Sequence, residues 1–179
     1  YNDAGQRIES QFGGSSGIYS MSTYVYNDDG SLLSKLNDYD IDGVPDQIES
    51  YSYDAAGNVT KVENFDSTTG KALYSETFDF DDKGRLISEK SFNAGSSEPD
   101  SVTTCTYDGN TGVCNTDYGN DGNVEKISNL TLDANYNVVM NEDDYDADGE
   151  VDSIVSHVYN PKNQVVYSEN DYDADKVVD

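Results

Sequence analysis

The chain has 179 residues, 36 acidic and 10 basic, and its net charge of −26 repels the phosphates of nucleic acid and of anionic membranes alike. Hydrophobic residues make up 35%, below the roughly 45–50% of ordinary globular chains, and no run of about 18 apolar residues is present to span a bilayer. Such a composition would suit disorder. The 15 tyrosines and 15 glycines nevertheless recur at regular spacing, and so much negative charge attracts a hard divalent cation that relieves self-repulsion.

In chain order, Tyr1-Asn2-Asp3-Ala4-Gly5 opens a motif that returns at Tyr26-Asn27-Asp28-Asp29-Gly30, Tyr53-Asp54-Ala55-Ala56-Gly57 and Phe80-Asp81-Asp82-Lys83-Gly84. Weaker copies begin at Tyr107, Leu132 and Tyr159, so the starts fall 25, 27, 27, 27, 25 and 27 residues apart. A second aromatic marker runs in step: Phe12, Tyr39, Phe65, Phe92, Tyr118, Tyr145 and Tyr172. Two markers holding one period define a single array over residues 1–179, with seven units of about 27 residues starting near 1, 26, 53, 80, 107, 132 and 159.

Each unit reads as two strands. Tyr24 and Tyr26, Tyr51 and Tyr53, Phe78 and Phe80, Cys105 and Tyr107, Leu130 and Leu132, and His157 and Tyr159 lie two apart, hence on one face of a strand. The Asp-x-x-Gly segment after each pair suits a type I turn closed by a left-handed Gly, a place Asn163 takes in the last copy. Leu32-Leu33, Val59, Leu86, Val138-Val139 and Val165-Val166 start the return strands, and Pro45, Pro99 and Pro161 fall in loops or turns. The fold class is therefore all-β: tandem strand–turn–strand repeats forming an antiparallel meander of about fourteen strands, coiled or extended. One thin sheet cannot bury both faces, so it must curl, fold over or pair with another chain. The chain opens at Tyr1 and stops midway through the seventh unit with no capping segment. Further repeats, or a second copy, are expected to cover its terminal strands.

Chemistry concentrates on the loop edge. Asp38, Asp40, Asp42 and Asp46 occupy positions 1, 3, 5 and 9 of a loop with Gly43 at position 6, as in the first three-quarters of an EF-hand loop. Val44 supplies a backbone carbonyl at position 7, and Glu49 at position 12 would complete the site as a bidentate ligand. Asp144, Asp146, Asp148, Glu150 and Asp152 repeat the pattern without an acid at position 12. Asp171, Asp173, Asp175 and Asp179 repeat it with Lys176 in the Gly position, and Asp117, Asp121 and Glu125 form a thinner version with Gly119 replacing the second acid. All-oxygen flexible cages of this kind suit calcium better than magnesium, so Ca2+ is the expected cofactor. The competing account is that these are solvated Asp-Gly turns between strands.

Cys105 and Cys114 flank Gly109-Asn110, a Gly-first pair that fits a two-residue type II′ hairpin. Counting outward from 108 and 111 places the cysteines in a non-hydrogen-bonded pair close enough for a disulfide, the alternative being two free thiols. His157, the chain's one histidine, occupies a stripe position held elsewhere by Tyr51 or Phe78 and reads as a packed aromatic substitute. No nucleophile–base pair or phosphate-cradling loop is evident, and an enzyme is not expected.

The motif Tyr-Asp-x-x-Gly-x-Leu/Val, clearest in Tyr53 to Val59 and in Phe80 to Leu86, resembles the YD-repeat (Rhs-type) family of bacterial surface and toxin-shell proteins. The Asp-rich loops are similar to those of thrombospondin type 3 repeats and dockerins. The resemblance implies an extracellular or cell-surface bacterial strand–turn–strand array, built as a shell or a stalk. The function expected is structural: a calcium-binding segment of an adhesin, stalk or filament, with self-association or further repeats as partners and neither nucleic acid nor membrane insertion. The alternatives are a module binding host or environmental glycans or proteins through its Tyr-rich face, and a fragment of a YD-repeat toxin shell.

Overall fold

The computed structural model describes residues 1–15 and 17–174. They form thirteen strands: β1 (Glu9–Gly14), β2 (Gly17–Tyr26), β3 (Leu32–Asp38), β4 (Gln47–Tyr53), β5 (Val59–Asp66), β6 (Ala72–Phe80), β7 (Leu86–Asn93), β8 (Ser101–Asp108), β9 (Thr111–Tyr118), β10 (Lys126–Leu132), β11 (Val138–Asp144), β12 (Ser153–Tyr159) and β13 (Val165–Asp171). Their order in one open antiparallel sheet is their order in the chain. The expected meander is present with thirteen strands rather than fourteen, because the seventh unit contributes only β13 among the described residues. By packing, the chain divides into two compact units: Tyr1–Phe78 with Ser91–Glu98, and Asp79–Lys90 with Pro99–Asp179.

The hairpin turns follow their Asp-x-x-Gly chemistry. In the second unit Asn27 N–H donates to the Ser31 carbonyl at 2.8 Å and Gly30 N–H to the Asn27 carbonyl at 3.0 Å, with Gly30 at φ 89°. That is a type I turn closed through a left-handed residue. Asn163 takes the same conformation at φ 57°. In the sixth copy, however, the position falls to Tyr136, at φ 65°. A bulky side chain there is an outlier, and neighbouring cations hold it. Lys83 Nζ lies 5.1 Å and the Arg85 guanidinium 5.3 Å from its ring centroid.

Two further devices lock the turns. The Asp54 carboxylate accepts the Ala56 and Asn58 amides at 2.8 and 2.9 Å, and Asn58 Nδ2 at 2.9 Å. Asp133 holds Asn135 and Asn137 in the same way, and Asp81 holds Lys83 and Arg85, the latter as an ion pair at 2.7 Å. The side-chain bond from Asn58, then its backbone amide, keeps the Asp54 carboxyl below the usual range. Asn137 does the same for Asp133. The residue after the turn Gly is thus a clamp, and its signal in the sequence is that the position is polar in copy after copy.

The second device explains the marker tyrosine. Its hydroxyl donates to a carbonyl at or just before a strand start in the preceding repeat: Tyr26 to Arg7 at 2.7 Å, Tyr53 to Leu32 at 2.9 Å, Tyr107 to Leu86 at 2.8 Å and Tyr159 to Val138 at 3.0 Å. Register shifts at Val25/Tyr26, Ser52/Tyr53 and Val158/Tyr159 place a bulge at the same point. Tyr53→Phe should therefore cost about 1 kcal/mol, the net worth of one hydrogen bond. Urea denaturation would measure it, and an unchanged midpoint would remove the staple from the account.

The core is thin. Among the described residues only Cys105, Cys114 and Leu132 are buried apolar side chains. Backbone ladders, staples and clamps therefore carry much of the cohesion that a packed interior supplies elsewhere. The cysteines are disulfide-bonded across β8 and β9, directly opposed with Cα atoms 4.0 Å apart. Gly109 has φ 58° at the first turn position, as the type II′ assignment requires. His157 packs edge-on against Tyr159, ring centroids 6.3 Å apart.

Candidate metal centre

Three loops opposite the tight turns share one construction. Asp38 ends β3, Asp144 ends β11, and Asp117 sits one residue before the end of β9. Asp38 and Asp144 are each only 4% exposed. A carboxylate so withdrawn from water needs donors, and the loop folds around it to provide them. Gly43 N–H reaches Asp38 Oδ2 at 2.9 Å, Gly122 N–H reaches Asp117 at 2.8 Å and Gly149 N–H reaches Asp144 at 2.9 Å. The position-9 acid then closes each loop by accepting the amide of the tyrosine at position 2: Tyr39 to Asp46, Tyr118 to Glu125 and Tyr145 to Asp152, all at 2.7 Å.

Two left-handed residues make this wrap possible. Position 6 is Gly43, Gly122 or Gly149, at φ 87°, 93° and 96°. Position 4 is Ile41, Asn120 or Ala147, at φ 61°, 52° and 56°. A β-branched residue does not adopt that conformation unless its surroundings impose it. Ala174, at φ 52°, takes the same place after Asp171, which is 7% exposed.

The wrap gathers oxygen donors. Asp38, Asp40 and Asp42 place one carboxylate oxygen each within 4.8 Å of one another. Asp117, Asp121 and Glu125 do so in the second loop, and Asp144, Asp146 and Asp152 in the third. In the first and third sets the opening acid, Asp38 or Asp144, is withdrawn from water while the other two remain exposed; in the second, Asp117 and Glu125 are half-buried and Asp121 is exposed. Three hard anionic oxygens on one short loop are of the donor type that calcium takes.

Asp42, in the first gathered set, and Asp148, outside the third, each accept an amide two residues on, Val44 and Glu150, at 2.8 Å. Glu150 is exposed, and Asp173 lies beside it on a cleft. Glu49 stands apart from the gathered carboxylates: it belongs to β4, paired with Lys35 and Asn64, and accepts the Tyr51 hydroxyl. Asp175 and Asp179 lie outside the described residues. Near Phe65 the loop is an ordinary turn in which Asp66 accepts Thr69 N–H at 2.7 Å.

No family model matches the chain, and no curated protein matches it. Among solved structures it is similar to a chain of the crystal structure of TcdB2-TccC3-Cdc42, with 11% identity and a TM-score of 0.38, over 88% of this chain and 10% of that one. It is similar also to a chain of the Photorhabdus luminescens Tc holotoxin pore, with 11% identity and a TM-score of 0.28, over 93% of this chain and 13% of that one. A protein of unknown function from Bacteroides fragilis NCTC 9343 shares 13% identity at a TM-score of 0.22, over 95% and 94% of the two chains. The chain therefore spans about a tenth of the length of the toxin chains it is similar to.

Proposed function

We propose that this chain is a non-catalytic, calcium-stiffened segment of an extracellular repeat array, working as part of a surface stalk, adhesin or filament. The observation that carries the proposal is the recurrence of one loop construction at Asp38, Asp117 and Asp144, each gathering three carboxylate oxygens within 4.8 Å. Solvated turns have no reason to keep a position-9 closing bond at 2.7 Å and two left-handed residues in three places, with the first acid withdrawn from water in two of them. Calcium would supply charge neutralisation at each loop, and the loop's own residues fix the donors in place. The disulfide supports an oxidising compartment. The marker tyrosines support a structural role over a glycan-binding stripe, since their hydroxyls are spent on carbonyls of the preceding repeat.

Terbium luminescence tests the proposal directly, because Tyr39, Tyr118 and Tyr145 sit second in the three loops and would sensitise a bound lanthanide. Emission should rise to saturation, fall when calcium is added in excess and persist in magnesium. Asp38→Asn and Asp144→Asn should each remove part of it. Emission no greater than that of the free ion would reduce the loops to ordinary turns.

A further inference from the structure

The residue before the first acid of each gathered loop occupies a recurring place. Asn37, Thr116 and Asp143 are all withdrawn from water, at 5%, 8% and 5% exposure. Each meets a hydroxyl directly opposite on the preceding strand. Ser22 donates to Asn37 at 2.8 Å, Thr103 and Thr116 share a bond at 2.9 Å, and Ser128 donates to Asp143. A neutral side chain satisfied by one hydroxyl is therefore enough for the fold at this place. Of the three, only Asp143 is charged.

That carboxylate comes with its own cation. Lys126 opens β10 and pairs with Asp143 at 3.0 Å, its ammonium lying also 5.1 Å from the Tyr145 ring centroid. Asn141 Nδ2 donates to the same carboxylate at 3.0 Å. The Asp143 carbonyl accepts the amide of Asp152, the acid that closes the loop, at 2.8 Å. We propose that Lys126 is a resident counter-ion of the third loop, which keeps the loop folded without metal and lowers its affinity for calcium.

The inference rests on the calcium reading of these loops and concerns how one of them is tuned. Asp143 and Asp144, consecutive and at 5% and 4% exposure, put two charges where water screens them poorly. Without metal, the Lys126 ammonium offsets their repulsion. With calcium held among Asp144, Asp146 and Asp152, the same ammonium repels the ion through partly desolvated protein. A side chain that merely braced the strands would favour both states. A counter-ion favours one and opposes the other, so its removal should move stability and affinity in opposite directions.

The test uses the whole chain carrying Tyr39→Phe/Tyr118→Phe, which leaves Tyr145 as the sensitiser among the three gathered loops, with terbium as the probe. The terbium concentration giving half-maximal emission should fall about threefold in Lys126→Gln, and less at high salt, the expectation for one charge at this range. Lys126→Arg, which keeps the charge, should titrate as the parent does. In chelator, Lys126→Gln should lower the melting temperature by about 5–10 °C, because a buried carboxylate loses its partner, while Lys126→Arg should not. Asp143→Asn leaves the ammonium unopposed and should raise the half-saturating concentration about threefold, which decides the matter if Lys126→Gln fails to fold. Equal or weaker terbium binding in folded Lys126→Gln, or an unchanged melt in chelator, would overturn the proposal and leave the calcium reading standing. So would Asp143→Asn that binds as tightly as the parent. Emission no greater than that of the free ion in the unsubstituted chain would overturn both.

Discussion

Chelation of divalent cations should lower the melting temperature by on the order of 20 °C. The estimate starts from extracellular calcium modules, whose dissociation constants run to about 10⁻⁴ M. In roughly 10 mM calcium, each such site stabilises the folded state by about 2.7 kcal/mol, provided the unfolded chain does not bind. Asp38, Asp117 and Asp144 open separate loops with no shared donors, so their contributions should add. Three sites then contribute roughly 8 kcal/mol, comparable to the whole net stability of a small domain. A chain of this size converts each kcal/mol into about 2–4 °C. Release of self-repulsion acts in the same direction, because calcium removes two units of charge per site from a chain at −26.

Generic screening must be separated from site binding. Sodium chloride at matched ionic strength weakens repulsion between exposed carboxylates, and should recover only part of the loss. The variant Asp144→Asn/Asp146→Asn should lose about a third of the calcium-dependent increment and keep the remainder. A melting curve indifferent to chelator would show that the gathered carboxylates are held by their amide donors alone, and the proposed function would fall with it.

Much of the architecture could be read from spacing because a repeat states its rule several times. The left-handed place after Asp-x-x was legible even where Asn163 replaces Gly, since both residues adopt that conformation at low cost. The gathering of Asp38, Asp40 and Asp42 was legible because alternating residues before a left-handed Gly bend turn toward one another. Glu49 was misleading for a physical reason. Counting to position 12 assumes that the chain keeps wrapping, but ladder pairing begins at Gln47, opposite Asn37 and Asp66. From there strand alternation decides direction, and Glu49 is set beside Tyr51. Tyr136 was hidden because its left-handed conformation contradicts local propensity and is supported from another repeat, by Lys83 and Arg85. The tyrosine staples were hidden likewise: the acceptor carbonyls lie 19 or 21 residues away, and a carbonyl leaves no mark in a sequence.

Reducing the Cys105–Cys114 disulfide should destabilise the second unit by roughly 2–3 kcal/mol on the loop-entropy estimate. The closed loop is short, with a sequence separation of 9, and the loss grows slowly with length, so a modest value follows. Two considerations make it matter more here than in a protein with a large core. The two cysteines are two of only three buried apolar residues described, so replacing both by Ala also removes packing that little else supplies. They also fix the register of β8 against β9, where Thr103 and Thr116 are hydrogen-bonded at 2.9 Å two pairs further along. Cys105→Ala/Cys114→Ala should therefore lose more stability than reduction, which leaves the thiols packed in place. With the sulfurs shielded at 4% and 8% residue exposure, reductant should act slowly in native buffer and quickly in denaturant. Peptide mapping without reduction should recover the linked pair, and denaturant melts of the oxidised, reduced and double-Ala forms should rank in that order. Two alkylatable thiols in freshly isolated protein, or identical melts for all three forms, would show that the hairpin holds its register by backbone pairing alone.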